Sequence, residues 1–390
     1  MTSSLTVAAL ETAMKNNELV LYYQPKVSLL SGSIIGAEAL VRWRDGMHGI
    51  IAPSEFLPLA ESGGLLHDLT LRLLDQVISA SSLLKAHPSK LSLSINVAPD
   101  DLASNTISNR IGQSLEQKTI RPEDLQVEIT ESAVMGNVER VCDDLIRLKK
   151  LGIRILMDDF GTGYSSIDRL SQLPFDALKL DQGIVKRMGH SRQNLDVVRS
   201  CISMARELGM TSVAEGIENA AAYNFLIAHG CEEAQGFYIG RPMSLDDFKS
   251  FVSDTHDFQG SQLGRVHQAL LNLIRFRKSL IDAAFCQEVS RAGVLASVAD
   301  PDLGTDVSGS RLGQWYYASK TELTEFKAYR DMEIPLREAH SQGLEFLSRL
   351  RQAHTANDIS RQLAIIDLTI DRLIKLFHDL ECALLEQGMH

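Results

Sequence analysis

Cysteine is scarce in this chain. Five cysteines, Cys142, Cys201, Cys231, Cys286 and Cys382, are scattered over 390 residues, and no two form a Cys-x-x-Cys pair. Such spacing provides neither a disulfide framework nor a cysteine-based zinc finger, and it fits a reducing compartment, so a cytoplasmic location is expected. Positive charge is also short: 39 Lys and Arg against 50 Asp and Glu leave a formal net charge of −11. This balance argues against DNA or RNA as a partner, because a polyanion is repelled unless a local patch or a metal reverses the sign. An anionic ligand is therefore expected to bind through cations. Long hydrophobic runs are missing too. No stretch approaches the roughly 18 apolar residues of a membrane span. The start, MTSSLTVAALETAMKNNELVLYYQP, lacks the basic and apolar regions of a signal peptide, so the chain reads as soluble and unprocessed.

Hydrophobic residues make up 44% of the chain, enough for a substantial core. From Leu19 to about Val252, eight short apolar runs alternate with amphipathic segments. The runs are LVLYYQP, SIIGAEALVRW, KLSLSINVAP, DLQVEITES, GIRILMDDF, FDALKLD, TSVAEGIE and CEEAQGFYIG. Helical patterns lie between most of them, such as Leu65 to Lys85, Val138 to Leu151 and Asn194 to Leu208. Eight strands alternating with helices over this length predict a (β/α)₈ barrel. After Asp254 the polar segment DTHDFQGSQLG reads as a linker. Beyond it, His267 to Val289, Lys320 to Arg351 and Ala356 to Glu386 carry helical periods. The expectation is two domains, a barrel over 1–254 and an all-α, four-helix-bundle-like domain over 255–390. The apolar stripe of its last helix is Leu363, Ile366, Ile370, Leu373, Ile374 and Phe377, and Pro335 marks a kink or a helix start.

The strand ends of the barrel carry polar residues. The second run has Glu38, the third Asn96, the fourth Glu128, the fifth Asp158 and Asp159, the sixth Lys179, the seventh Glu215 and the eighth Gln235. Singly, each has an ordinary role: Glu38 pairs with Arg42, Asn96 makes a turn, an aspartate before Gly161 and Gly163 caps a loop. Together they are harder to explain that way, because parallel barrel strands end at one face and their side chains converge there. Carboxylates crowded so closely repel one another without cations. Hard oxygen ligands suit Mg²⁺ or Mn²⁺, and the absence of a His/Cys cluster argues against zinc. Two such cations about 3.5–4 Å apart, bridged by a carboxylate, commonly hydrolyse phosphate esters, and Asp158 is the natural bridge.

These motifs resemble the EAL family of cyclic-di-GMP phosphodiesterases. Glu38-Ala39-Leu40 is the tripeptide after which that family is named, and YYQP, IN, VEITES, DDFGTGYSS, LKLD, VAEGIE and QGFYIGRP follow its order across residues 5 to 252. The resemblance implies a barrel whose first strand is antiparallel to the rest, a homodimer, and hydrolysis of cyclic-di-GMP to 5′-pGpG. It implies that Glu38, Asn96, Glu128 and Asp158 bind one metal, that Asp158 and Asp159 serve the second, and that Glu215 contributes directly or through water. Lys179 would sit beside the attacking water. Gln24, Arg42 and Gln235 would contact the nucleotide, with Arg42 suited to phosphate by its fork of donors. Glu131 would tie down the FGTGYSS loop, and Glu218 would be a further supporting acid. Gln182-Gly183 after LKLD and NVAPDDL after the asparagine depart from the family pattern without touching a metal ligand.

In the second domain, SRLGQWYY and REAHSQGLEF resemble the CZB family of zinc-sensing four-helix domains. The resemblance implies a Cys, a His on the first helix and a His-x-x-x-His pair. Here Ser310 stands at the cysteine position and Leu336 at the first histidine of the pair, leaving His340 and His267. Two imidazoles fall short of the four ligands of a structural zinc site, so no zinc is expected there. Cys286, or Cys382 with His378, would be the residues available to rebuild one. The functional expectation is a cyclic-di-GMP phosphodiesterase regulated by the helical domain; the alternative is a catalytically silent cyclic-di-GMP receptor that signals to a partner.

Overall fold

The computed structural model describes residues 5–46, 48–85, 87, 90–102, 104–131, 138–161, 173–254, 258, 262–291, 306–350 and 356–386. The chain divides into two compact units, Met1–Gly260 and Ser261–His390. Each of the eight apolar runs forms a strand of the first unit. They are β1 (Leu19–Ser28), β2 (Ile34–Asp45), β4 (Ser92–Asn96), β5 (Leu125–Thr130), β6 (Arg154–Phe160), β7 (Ala177–Leu180), β8 (Thr211–Ala214) and β9 (Glu233–Gln235). A ninth, β3 (Gly49–Ile51), was not visible as a run and lies antiparallel on the end of β2. The order β1-β9-β8-β7-β6-β5-β4-β2 closes through the β1–β2 pairing into an eight-stranded barrel. β1 is antiparallel to both neighbours, while the remaining barrel pairs are parallel.

The strand period then sorts the side chains. On β5, Leu125, Val127 and Ile129 join the large core between strands and helices, so Gln126, Glu128 and Thr130 face the barrel interior. Inside the barrel, Leu156, Ala177 and Val213 form a small apolar cluster of their own. The helix Leu66–Leu84 covers the outside with Leu69, Leu73, Leu74, Val77, Ile78 and Leu84 buried at helical spacing. Helices Val138–Lys150 and Arg192–Glu207 lie where the periodicity placed them.

In the second unit, the described helices of at least one turn are Gln262–Arg291, Arg311–Ala318, Lys320–Leu323, Lys327–Asp331, Glu333–Leu350 and Ala356–Glu386. The helical period expected over Lys320 to Arg351 is therefore not one helix but three. Phe326 is extended (φ −78°, ψ 125°), which turns the chain and buries Phe326 and Tyr329. Pro335 falls in the first turn of Glu333–Leu350, where a missing N–H costs no helical bond, so it marks a start rather than a kink. The core joins Leu273, Phe346, Ile366, Ile370, Leu373, Phe377 and Leu380. Within the expected stripe, Ile366, Ile370, Leu373 and Phe377 are buried, and Leu363 and Ile374 pack at its edge.

Ser310 caps the helix Arg311–Ala318: its Oγ accepts the Gly313 N–H at 3.0 Å and donates to the Val307 carbonyl at 2.8 Å. Leu336 and His340 are both buried. The side chains of His267 and Cys286 lie outside the described residues. Cys382 is exposed, and His378 Nδ1 lies 3.2 Å from Glu381. No described helix is long and apolar enough to cross a membrane.

Candidate active site

Glu128 on β5 and Lys179 on β7 are both completely buried. The Lys179 ammonium reaches carboxylates from four positions around the ring. It lies 3.0 Å from Asp158 Oδ1, 2.5 Å from Glu215 Oε1 and 3.5 Å from Glu38 Oε2, and it also contacts Glu128 Oε2. Only a side chain inside the barrel can touch four different strands or strand ends in this way. Glu38 is fixed on its other sides: its Oε1 accepts from Asn96 Nδ2 at 2.7 Å and its Oε2 from Gln235 Nε2 at 2.6 Å. Gln235 Nε2 also lies 3.5 Å from Glu215 Oε1. The seven strands read as carrying polar ends thus deliver Glu38, Asn96, Glu128, Asp158, Lys179, Glu215 and Gln235 to one bonded cluster.

Adjacent residues on a strand ordinarily point to opposite faces, so Asp158 and Asp159 present a geometric problem. The β6–β7 register shifts between Met157 and Phe160, and Asp159 adopts φ 56°. This irregularity, with Asp159 in the left-handed region, turns both carboxylates toward the same space. The chain then leaves through Gly161, at φ 95°, whose N–H donates to Glu131 Oε2 at 3.0 Å. An added Cβ at Gly161 would lie 2.4 Å from Ile184 Cδ1. Glu131, 2% exposed, thus bonds Gly161, the second residue of the FGTGYSS segment. Thr162 to Ser166, the remainder of that motif, lie outside the described residues.

The other expected contacts are more peripheral. Gln24 on β1 pairs in register with Glu38 and donates from Nε2 to the Gly240 carbonyl at 3.3 Å. Arg42 lies four residues beyond Glu38 on β2, on the same strand face, and donates to the Val41 carbonyl at 2.8 Å. Burial lowers its pKa, while Tyr22 and Glu38 oppose that shift. Glu218 pairs with Lys186 at 2.9 Å on the half-exposed surface and is not part of the carboxylate cluster.

Sequence reasoning missed Lys26. It lies on β1, two residues after Gln24 on the same face, and is only 2% exposed. Its ammonium donates to Glu128 Oε1 at 2.5 Å and to Ser94 Oγ at 2.7 Å. The available signal was the period of two in YYQPK, which puts Lys26 on the inward face with Gln24. Asp181 was missed as well: burial raises the Asp159 pKa, and the Asp181 charge adds to that shift.

The cluster is unbalanced without a cation. Burial by itself would raise the Glu128 pKa, but Lys179 and Lys26 overcome that and hold it at about 2. Burial pushes Asp158 up to about 6, against the pull of Lys179 and with help from Glu128 and Glu38. Glu215 is likewise pushed by burial to about 8 despite Lys179. Burial would lower the Lys179 pKa, yet Glu128, Glu215, Glu38 and Asp158 raise it well above the ordinary lysine value. The ammonium is thus a built-in cation among carboxylates that outnumber it.

The donor set fits divalent metal. Oxygens of Glu38, Glu128 and Asp158 lie within 4.8 Å of one another, as do those of Asp158, Asp159 and Glu215, so the two sets share Asp158. Gln235 Oε1 adds a buried acceptor with no hydrogen-bond partner among the described residues. All of these atoms are hard oxygens, which suits Mg²⁺ or Mn²⁺ chemistry.

Known proteins share this barrel. RocR of Pseudomonas aeruginosa, a cyclic di-GMP phosphodiesterase, is 35% identical over 248 residues, covering 64% of this chain and 63% of RocR. MucR of the same organism, a bifunctional diguanylate cyclase/cyclic di-GMP phosphodiesterase, is 35% identical over 245 residues, 63% of this chain and 36% of MucR. The chain spans less than two thirds of the length of either relative. The solved PaMucR phosphodiesterase in complex with c-di-GMP superposes with a TM-score of 0.59 at 35% identity, covering 62% of this chain and 98% of that one. The EAL domain family matches residues 7–242, more than half of the chain, and the protein belongs to that family.

Proposed function

We propose that the barrel hydrolyses one phosphodiester bond of cyclic-di-GMP, releasing linear 5′-pGpG, with two divalent cations of the Mg²⁺ or Mn²⁺ type. The observation that carries this reading is the pair of three-carboxylate sets sharing Asp158. Glu38, Glu128 and Asp158, with the Asn96 carbonyl oxygen, are the residues to hold one cation; Asp158 and Asp159, supported by Glu215, are those to hold the other. Such cations supply a water of lowered pKa and neutralise charge on the phosphoryl oxygens.

The chain's own residues do the rest. Lys179, in reach of Glu38, Glu128, Asp158 and Glu215, is the residue to orient the attacking water or to help take its proton. Arg42 meets a phosphate, and Gln24 and Gln235 orient the nucleotide. Asn96 and Gln235 keep Glu38 in one rotamer by occupying both of its oxygens. Relatives named as cyclic di-GMP phosphodiesterases, and a related phosphodiesterase solved with c-di-GMP, support this choice of substrate.

The helical unit, by its resemblance to the CZB family, is the regulatory and dimerisation module of a cytoplasmic homodimer, and it works without zinc. Incubating the full chain with cyclic-di-GMP and Mg²⁺ or Mn²⁺, then separating products by chromatography, tests the central reading. Turnover to 5′-pGpG that stops in EDTA and is inhibited by Ca²⁺ is the expected result. Tight nucleotide binding with no product would assign the protein as a silent receptor instead. Light scattering checks the dimer.

A further inference from the structure

We propose that Lys26 is a positioning residue that sets which divalent cation the barrel prefers, by holding Oε1 of Glu128 so that only Oε2, the oxygen on the Lys179 side, is left to face a cation. This rests on the reading of Glu128 as a cation ligand.

The two buried lysines differ in their partners. Lys179 touches Glu38, Glu128, Asp158 and Glu215, every one of which belongs to a three-carboxylate set. Lys26 touches one carboxylate among the described residues, Glu128, and it binds the oxygen that Lys179 does not: Oε1 at 2.5 Å. Ser94 Oγ takes a second Lys26 hydrogen bond at 2.7 Å and fixes the direction of the ammonium. Lys26 and Glu128 are 2% and 0% exposed, so water does not compete for either group. Oε2 remains on the Lys179 side, facing Glu38 and Asp158.

Oε1 faces a buried ammonium that is fixed by Ser94 and has no other carboxylate among the described residues to turn to, so it is the oxygen of Glu128 least able to reach a cation, and ligation falls to Oε2. Mg²⁺ accepts that readily, since it takes few ligands in octahedral geometry and keeps several waters. Ca²⁺ takes six to eight oxygens and gains from bidentate carboxylates. Freeing Oε1 should therefore favour Ca²⁺ over Mg²⁺. The positive charge of Lys26 disfavours both dications to a similar degree, so it cancels from the ratio of their affinities. The ratio isolates the geometric role from the electrostatic one.

The test is calorimetric titration of the full chain with Ca²⁺ and, separately, Mg²⁺, for the unsubstituted protein, Lys26→Met, Lys26→Arg and Ser94→Ala. Lys26→Met should raise the Ca²⁺/Mg²⁺ affinity ratio about tenfold, the lower range for losing a partner behind a metal ligand. Lys26→Arg keeps a donor on Glu128 and should restore most of the original ratio. Ser94→Ala leaves both charged groups in place and should shift the ratio in the same direction by about two- to threefold. Because the serine change is small, it decides the matter if Lys26→Met does not fold. Equal changes for the two ions, or an unchanged ratio in both Lys26→Met and Ser94→Ala, would overturn the inference while leaving the cation reading intact. If the unsubstituted chain binds neither ion, the cation reading itself falls, and this inference with it.

Discussion

At the centre of the barrel unit the fully hidden side chains include Lys179 and Glu128, with Lys26 at 2% exposure; at the centre of the helical unit they include Leu273, Ile370, Leu373 and Leu380. The helical interior is stabilised by apolar area removed from water, and each large side chain in it adds to stability. The barrel interior removes charges from water, which costs stability unless every charge is paired, and the carboxylates here outnumber the lysines. Buried charge that does not stabilise the fold is a mark of function. One unit is therefore arranged for stability at its centre, the other for chemistry.

The most severe test of that contrast is Asp158→Asn. It should lower cyclic-di-GMP turnover by a factor on the order of a thousand, since it removes the carboxylate common to both oxygen sets. The same change should leave the metal-free barrel as stable or raise its melting temperature, because a neutral amide replaces a carboxyl that burial holds up at about 6. A variant that is inactive only because it is unfolded would erase the distinction between the two interiors.

The converse substitution is Phe377→Ala. Phe377 is 1% exposed and packs 5.2 Å from the Trp315 ring centroid. Its loss should cost about 3–5 kcal/mol of helical-unit stability. Denaturant titration in a Trp43→Phe background, which leaves Trp315 as the chain's tryptophan, reads that unit separately.

The helical core can also be made to hold a metal. Ser310→Cys with Leu336→His would restore the cysteine and the histidine that the CZB resemblance sets with His340, positions 336 and 340 lying one helical turn apart. The apo double variant should lose stability through a buried imidazole, and zinc should restore it. Competition with a chromophoric chelator measures the gain. Tight zinc already present in the unsubstituted chain would contradict the degenerate reading; no gain would contradict the alignment.

The pH profile of the metal-free protein should carry the signature of the barrel. Asp158 at about 6 and Glu215 at about 8 both lie above ordinary carboxylate values, so the folded state retains protons that the unfolded chain has released. The resulting stability is fully present below about pH 4 and is lost as pH rises through these values. Melting in EDTA from pH 5 to 9 should show the decline, and Glu215→Gln should flatten its upper part. A flat profile in the unsubstituted chain would contradict the assignment of these protons.

The mildest change is Glu131→Ala. It removes the acceptor for the Gly161 N–H without touching the carboxylate sets. Metal affinity should fall about tenfold, with the fold retained and most activity recovered at saturating Mg²⁺. Unchanged rates at limiting Mg²⁺ would show that the loop is held by other means.

The eight strands and their polar ends were legible because strand period and motif order are local properties of a chain. Each run needed only its own neighbours to be recognised, and a barrel brings parallel strand ends together wherever they fall in sequence. Composition and the helical stripe likewise marked out the second unit. Three features needed the tertiary structure. The period of two puts Lys26 on the inward face, but only ring closure sets it against Glu128, 102 residues away. Asp159 faces away from Asp158 on any regular strand, and only the local irregularity turns it inward. The segment from Lys320 reads as a single helical period, yet packing Phe326 and Tyr329 into the core breaks it. For Lys26 and for the Lys320 segment the deciding energy comes from a contact remote in sequence: a buried charge must find its counter-charge, and an aromatic ring must find its core.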